Sequence, residues 1–182
     1  QTRNYTRVVK RLLELELYSQ KKGRDSLGEP PPFERKRKRE HNAKAIQKQR
    51  KRNTEAKNQQ KAIKINPEFC EAFNNLGNIY RDRQQLIEAE QNLTKAIQIN
   101  PDYAEAHNNL GTVYRDKSEL DAASVSFQKA LEIKPNFAEA HHNLGMTNRE
   151  RGSLELASEN FQRALDFKPD FAEAHPGPSP VK

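Results

Sequence analysis

Three asparagines, Asn75, Asn109 and Asn143, stand 34 residues apart, each followed by Leu-Gly. A carboxamide offers one acceptor oxygen and two N–H donors. Repeated at a fixed interval, such groups can pair with the C=O and N–H of an extended peptide backbone without reading its side chains. Other polar residues recur in the same register. Asn74, Asn108 and His142 form one set, and Asn78, Thr112 and Met146 another. Glu71, Glu105 and Glu139 precede them, and Arg81, Arg115 and Arg149 follow. These residues are the candidate peptide-binding groove. The carboxylates and guanidiniums add charge selectivity to it, although exposed ion rows are commonly solvated faces worth little.

Other chemistries have weaker signatures. His107, His141 and His175 also recur every 34 residues, with His142 adjacent to one of them. Ligands so spaced fall on successive elements without a close i, i+4 partner, which is a poor arrangement for a metal. They occupy the position of Phe73 and read as packing residues. Cys70 is the single cysteine, so no internal disulfide can form, which suits a reducing compartment. Its position is filled by Ala104 and Ala138 in the later copies, which marks it as a small packing residue. No Gly-rich nucleotide loop, paired catalytic carboxylates or nucleophile–base arrangement is recognisable. The expectation is a non-catalytic segment that needs neither a cofactor nor a metal.

The elements that must carry these residues follow from the period. Pro67, Pro101, Pro135 and Pro169 stand one every 34 residues, between units that open FCEAFNNLGNIYRD, YAEAHNNLGTVYRD and FAEAHHNLGMTNRE. A period of this length points to one helix pair used several times. In the first unit Ala72, Phe73, Leu76, Ile79 and Tyr80 form an apolar stripe at helical spacing. Leu86, Ala89, Leu93, Ala96 and Ile97 form a second stripe. Gln84-Gln85, Lys117-Ser118 and Arg151-Gly152-Ser153 break the period between the two helices. Asn-Pro ends the second helix, because the residue before proline avoids the helical region. Proline followed by Glu, Asp or Asn then suits the start of the next helix. Gly77, Gly111 and Gly145 sit mid-helix, where glycine costs about 1 kcal/mol against alanine. A cost repeated in every unit implies close approach of the partner helix, here expected around Ala89, Ala123 and Ala157.

This pattern resembles the tetratricopeptide repeat (TPR) family. The family's offsets are matched by Phe73, Leu76-Gly77, Tyr80, Ala89, Leu93, Ala96 and Pro101, and again 34 residues later by His107, Leu110-Gly111, Tyr114, Ala123, Phe127, Ala130 and Pro135. A third copy runs His141, Leu144-Gly145, Asn148, Ala157, Phe161, Ala164 and Pro169. The resemblance implies an all-α fold, a right-handed α-solenoid of tandem helix-turn-helix units, in which the first helix of each pair lines the concave face. The asparagine ladder is similar to the repeats of O-linked N-acetylglucosamine transferase-like and bacterial proteins. It implies a non-catalytic scaffold that binds a peptide or partner helix in its groove. Alternatively, it implies the substrate-recruiting region of a larger glycosyltransferase. A chaperone-tail clamp is not supported, because the cationic groove residues are missing and Glu139 would repel a carboxylate. Asn148 departs from the pattern where Tyr is expected, so a gap and an amide in need of a partner are expected there. Phe161 and Leu165 are expected to be underburied.

The rest of the chain differs in kind. Residues 1–66 carry 20 Lys and Arg against 7 Asp and Glu, whereas residues 67–182 carry 12 against 18. A basic arm thus precedes a mildly acidic block. Residues 1–60 are expected to be a partly disordered arm, with a short amphipathic helix over 6–22 and a breaker-rich linker over 23–32. Residues 35–57 have little to bury and are expected to be mobile or a solvated single helix. Residues 61–69 repeat the end of a repeat helix. The units are then 70–103, 104–137 and 138–171, with 172–182 the truncated start of another, so the chain reads as a piece of a longer protein. The basic clusters 35–39 and 48–52 suit nuclear import or loose phosphate binding. Without aromatic interleaving or a recognition-helix pattern, sequence-specific nucleic-acid binding is not expected. No run is apolar enough for a membrane span. The expected partner is a protein or peptide, and the expected compartment is the cytoplasm.

Overall fold

The computed structural model describes Glu14 and residues 32–169. Apart from Glu14, the helix expected over 6–22 lies outside the described residues, as do the linker residues 23–31 and the unit opening 172–182. The described residues form seven helices and no strand. They are α1 (Pro32–Ile65), α2 (Cys70–Asp82), α3 (Leu86–Ile99), α4 (Ala104–Asp116), α5 (Leu120–Ile133), α6 (Ala138–Glu150) and α7 (Leu154–Phe167). The chain divides into two compact units, Gln1–Arg52 and Asn53–Lys182, so the boundary falls inside α1.

In the first unit, residues 34–51 of α1 are a solvated helix. Residues 34–51 are all exposed, and Ile46, the one large aliphatic among them, is 53% exposed. Lys, Arg, Gln, Glu and Ala are good helix formers, so propensity alone favours the conformation. Without an apolar face the helix has nothing to bury.

In the second unit, α2/α3, α4/α5 and α6/α7 are antiparallel pairs stacked in sequence. Each second helix also packs on the first helix of the next pair. Successive first helices touch, α2 with α4 and α4 with α6, whereas the second helices α3, α5 and α7 do not. First helices that crowd together while second helices splay apart place α2, α4 and α6 on the inside of the curve. The result is an α-solenoid. Residues 53–65 of α1 lie against the first pair. Arg83 Nη2 donates to Asn53 Oδ1 at 2.8 Å, and Gln60 Nε2 to the Tyr80 hydroxyl at 3.3 Å. The same cationic position recurs in the next pairs. Lys117 Nζ reaches Glu90 Oε2 at 3.0 Å, and Arg151 reaches Asp121 at 2.8 Å and Ser124 at 3.3 Å.

The repeated glycines do mark close approach of the partner helix near the expected alanines, but the tightest contact is with the large residue one turn further on. A Cβ on Gly77 would lie 2.6 Å from Leu93 Cγ, and one on Gly111 would lie 2.7 Å from the Phe127 ring. On Gly145 it would lie 2.8 Å from the Phe161 ring. The large residue one turn beyond each alanine fills the space. Ala89 and Ala157 contribute their carbonyl oxygens at 3.2 Å. Leu93 and Phe127 are fully buried, while Phe161 and Leu165 are only partly so.

The prolines do not open helices. Pro101 and Asp102 form the centre of a turn closed by Tyr103 N–H to the Asn100 carbonyl at 3.2 Å, and α4 begins only at Ala104. Pro67 and Pro135 sit in equivalent turns, because the Phe69 and Phe137 N–H groups close them in the same way. The Asn100 side chain takes the Asp102 N–H at 3.2 Å. His107 and His141 then lock these turns, each placing Nε2 2.9 Å from the carbonyl oxygen of Pro101 or Pro135. Their packing role is therefore also a hydrogen-bonding one.

Between the helices of each pair the chain reverses through a left-handed residue, at φ 61° for Gln84, 64° for Ser118 and 80° for Gly152. Each turn returns an N–H to the helix five residues back: Gln85 to Tyr80, Glu119 to Tyr114 and Ser153 to Asn148, at 2.8–3.0 Å. Asn148 keeps this backbone role without the tyrosine side chain. It is 7% exposed, and its amide is not among the buried polar atoms that lack a partner. Only one of the three left-handed residues is glycine, and an L-residue there is disfavoured by about 1–2 kcal/mol. Ser118→Gly is therefore expected to raise stability by a few tenths to about 1 kcal/mol after the added chain entropy is subtracted. Gly152→Ser should lower it by a similar amount. Urea midpoints of the two variants check this, and a fall for Ser118→Gly would refute it.

Candidate peptide-binding face

The residues singled out by the period all lie on α2, α4 and α6, the inner helices, but they do not all face the same way. Asn74 and Asn108 are buried, at 5% and 6% exposure. Each is the acceptor of a bond from the next pair. Asn109 Nδ2 donates to Asn74 Oδ1 at 2.8 Å, and Asn143 Nδ2 donates to Asn108 Oδ1 at 3.0 Å. Asn74 and Asn108 therefore belong to the joint between first helices and not to the open groove. Thr112 is withdrawn as well, since its hydroxyl is buried and bonds the Asn108 carbonyl at 3.0 Å. His142 packs at a tilt on Phe161, with ring centroids 5.4 Å apart.

What remains toward the groove is a ladder with one rung fully open. Asn75 is exposed. Asn109 and Asn143 are half-buried, each with one N–H committed to the neighbouring helix. A carboxamide so held keeps a second N–H and an acceptor oxygen. Its plane is also fixed by the bond it makes, which lowers the entropy lost when a ligand binds. Asn78 and Met146 are half-buried one turn further on, and Asn78 Oδ1 is a buried acceptor with no partner.

The charges are just as unequal. Arg81 Nε lies 3.9 Å from Asp116 Oδ2 in the next pair, with Asp82 at 3.7 Å. Arg115 and Arg149 form no ion pair among the described residues, and Arg115 Nη1 is buried without a partner. Glu105 accepts from Lys134 Nζ at 3.0 Å. Partial burial pushes its carboxyl up, but the bond and charge of Lys134 and a backbone hydrogen bond outweigh this and hold it below the usual carboxylate value. Both side chains are nearly half exposed, so the pair contributes little stability. Lys134→Met is expected to change stability by less than about 0.5 kcal/mol. A larger shift of the thermal midpoint than that corresponds to would show otherwise. Glu71 accepts from the Cys70 thiol at 3.3 Å. Burial, then the hydrogen bond and charge of Glu71, push that thiol up, away from reactivity. Burial also raises the Tyr103 phenol, helped by Glu71 and Glu105 and opposed by a hydrogen bond with Asn74.

Sequence reasoning missed the accepting role of Asn74 and Asn108. The signal was present in the doublets Asn74-Asn75 and Asn108-Asn109, where the first member serves the second member of the next unit. Among the described residues no group of His, Cys, Asp or Glu is arranged to hold a metal ion. No described helix is long and apolar enough to cross a membrane.

Comparison with known proteins agrees with this architecture. Sequence profiles described as "TPR repeat" match residues 77–115 and 111–148, and profiles described as "Tetratricopeptide repeat" match 59–91 and 138–171. No curated protein sequence matches the chain. Among solved structures it is similar to one titled "Crystal structure of MamA", at 28% identity and a TM-score of 0.58, over 65% of this chain and 69% of that one. It is also similar to "Crystal structure of MamA protein", at 27% identity and a TM-score of 0.58, over 71% of this chain and 70% of that one. With its helix pairs, its period and its profile matches in one register, the chain belongs to the tetratricopeptide repeat family and is a scaffold for protein–protein interaction.

Proposed function

We propose that the inner face of α2, α4 and α6 holds an extended peptide by its backbone, with Asn75, Asn109 and Asn143 as the gripping groups. The observation that carries this reading is the ladder bond. It orients Asn109 and Asn143 and leaves each a donor and an acceptor at a regular interval. Arg115 and Arg149, with Glu71 and Glu139, bias the choice among peptides by charge. The same groove would recruit substrate if it were joined to a glycosyltransferase domain. The chain alone is expected to transfer no sugar, since no catalytic arrangement is recognisable in its sequence.

The test is a peptide array probed with the chain, followed by titration of the best binders. Each backbone pairing is worth about 0.5–1.5 kcal/mol, so Asn75→Ala should weaken binding roughly 2- to 10-fold with no change in stability. Asn109→Ala should weaken it as much and also destabilise, because it orphans the buried Asn74 Oδ1. Binders N-methylated at alternate backbone amides should lose affinity although their side chains are unchanged. If the methylated peptides bind as well as the originals, the ladder is not the grip.

A further inference from the structure

The strongest run of charge in the described residues belongs to the first unit and not to the repeats. Residues 34–52 of α1 carry ten Lys and Arg against two Glu. This stretch is helical throughout and about 28 Å long at 1.5 Å per residue. Lys36, Arg37, Lys38, Arg39, Lys44 and Lys48 are all exposed. At about 100° per residue they are distributed around the whole axis, with Lys36 and Lys38 nearly opposite one another. Like-charged neighbours at i, i+4, such as Arg35 and Arg39 or Lys44 and Lys48, disfavour the free helix. A row of anions on both sides would convert that repulsion into attraction.

We propose that residues 34–52 of α1 are a sequence-independent binding element for double-stranded nucleic acid and sit between the two phosphate backbones of a groove. A helix about 10–12 Å across fits the B-DNA major groove, about 12 Å wide. There it meets phosphates on both flanks, which suits charge on every side of the axis. A bilayer presents its phosphates on one side only, and helices that lie on it carry an apolar face. Residues 34–52 have no such face, with Ile46 their one large aliphatic residue. The element has no pattern of base-reading side chains, so it grips the backbone alone.

The experiment uses the full chain and a fluorescent duplex of arbitrary sequence, followed by anisotropy from 50 to 200 mM salt. If about six phosphates are neutralised, the logarithm of the affinity should fall with a slope of about −5, a loss of roughly 10³-fold over that range. Duplexes of unrelated sequence should bind alike. Replacing the six named residues by Gln preserves helix propensity. It should reduce affinity at 50 mM salt by about 100-fold or more and flatten the slope. A control, Lys95→Gln with Lys129→Gln on the repeats, should bind like the parent. The proposal is overturned by failure to bind duplex at 50 mM salt, or by unchanged binding of the six-Gln variant with its helix content retained. Tighter binding to phosphatidylserine vesicles than to duplex at equal phosphate concentration also overturns it and assigns the helix to membranes.

Discussion

Phe127→Ala is expected to destabilise the repeat block by about 3–5 kcal/mol, the range for removing a fully buried aromatic ring. Phe127 is completely buried and faces the Gly111 backbone on one side. It also belongs to the cluster of Ala123 and Leu144, with Tyr114 and Leu131 packed around it. It therefore joins α4 to α5 within one pair and α5 to α6 across to the next. In a stacked array each unit is held by its neighbours, so the loss falls on the interface as well as on the pair. Phe161 occupies the same place in the last pair but is only partly buried. Phe161→Ala should cost clearly less, because less area is returned to water. Urea unfolding followed by circular dichroism measures both. Equal losses for the two would show that burial does not rank them, against this account.

The comparison of Phe127 with Phe161 illustrates what a repeated sequence shows. Period, helix pairing and buried faces were legible because the same residue types return every 34 positions. Ala89, Ala123 and Ala157 are buried in all three copies, as the pattern requires. What a helix meets on its partner was less legible. The glycines do meet the partner helix near those alanines, but it is the crossing of two helices that sets the side chains of Leu93, Phe127 and Phe161 opposite them. The same limit explains the ladder. Asn74 and Asn75 look alike on one helix, and only the adjacent helix makes the first a buried acceptor and the second an exposed rung. Proline misled for a different reason. Its fixed φ suits a helix start and a turn equally, and the carbonyl that His107 or His141 takes from Pro101 or Pro135 leaves no trace in side-chain patterns.

Charge was the least legible feature of the candidate site. The dipeptides Arg81-Asp82, Arg115-Asp116 and Arg149-Glu150 are nearly identical in sequence. Yet Arg81 is engaged by Asp116 of the following pair, whereas Arg115 and Arg149 form no ion pair among the described residues. A residue's partner here belongs to the next turn of the stack, so equivalent residues acquire different roles along the array. The first helices consequently carry their carboxamides at a regular interval but commit their cations unequally.

Gly111→Val tests whether the stacking geometry and the groove are one device. A Cβ at Gly111 would lie 2.7, 2.8 and 3.0 Å from three ring atoms of Phe127, closer than real contacts permit. Valine adds two further methyls to a ring that has no free space to retreat into. Overpacking of this kind costs about 1–3 kcal/mol and occasionally more. The gain in helix propensity over glycine, less than about 1 kcal/mol, offsets only part of it. The upper end of that range is expected, with a lowered thermal midpoint. Gly145→Val creates the same clash against Phe161, at 2.8 Å, but that ring is only partly buried and can turn outward. Its cost should be smaller. The functional consequence separates the two as well. Asn109 lies two residues before Gly111 on α4, so pushing α4 off α5 should lengthen its 2.8 Å bond to Asn74 and release the orientation of its amide. Gly111→Val should therefore weaken peptide binding even at a temperature where the chain remains folded, whereas Asn75→Ala weakens binding alone. Undiminished peptide affinity in folded Gly111→Val would separate the packing from the ladder and leave the carboxamides gripping without help from the neighbouring helix.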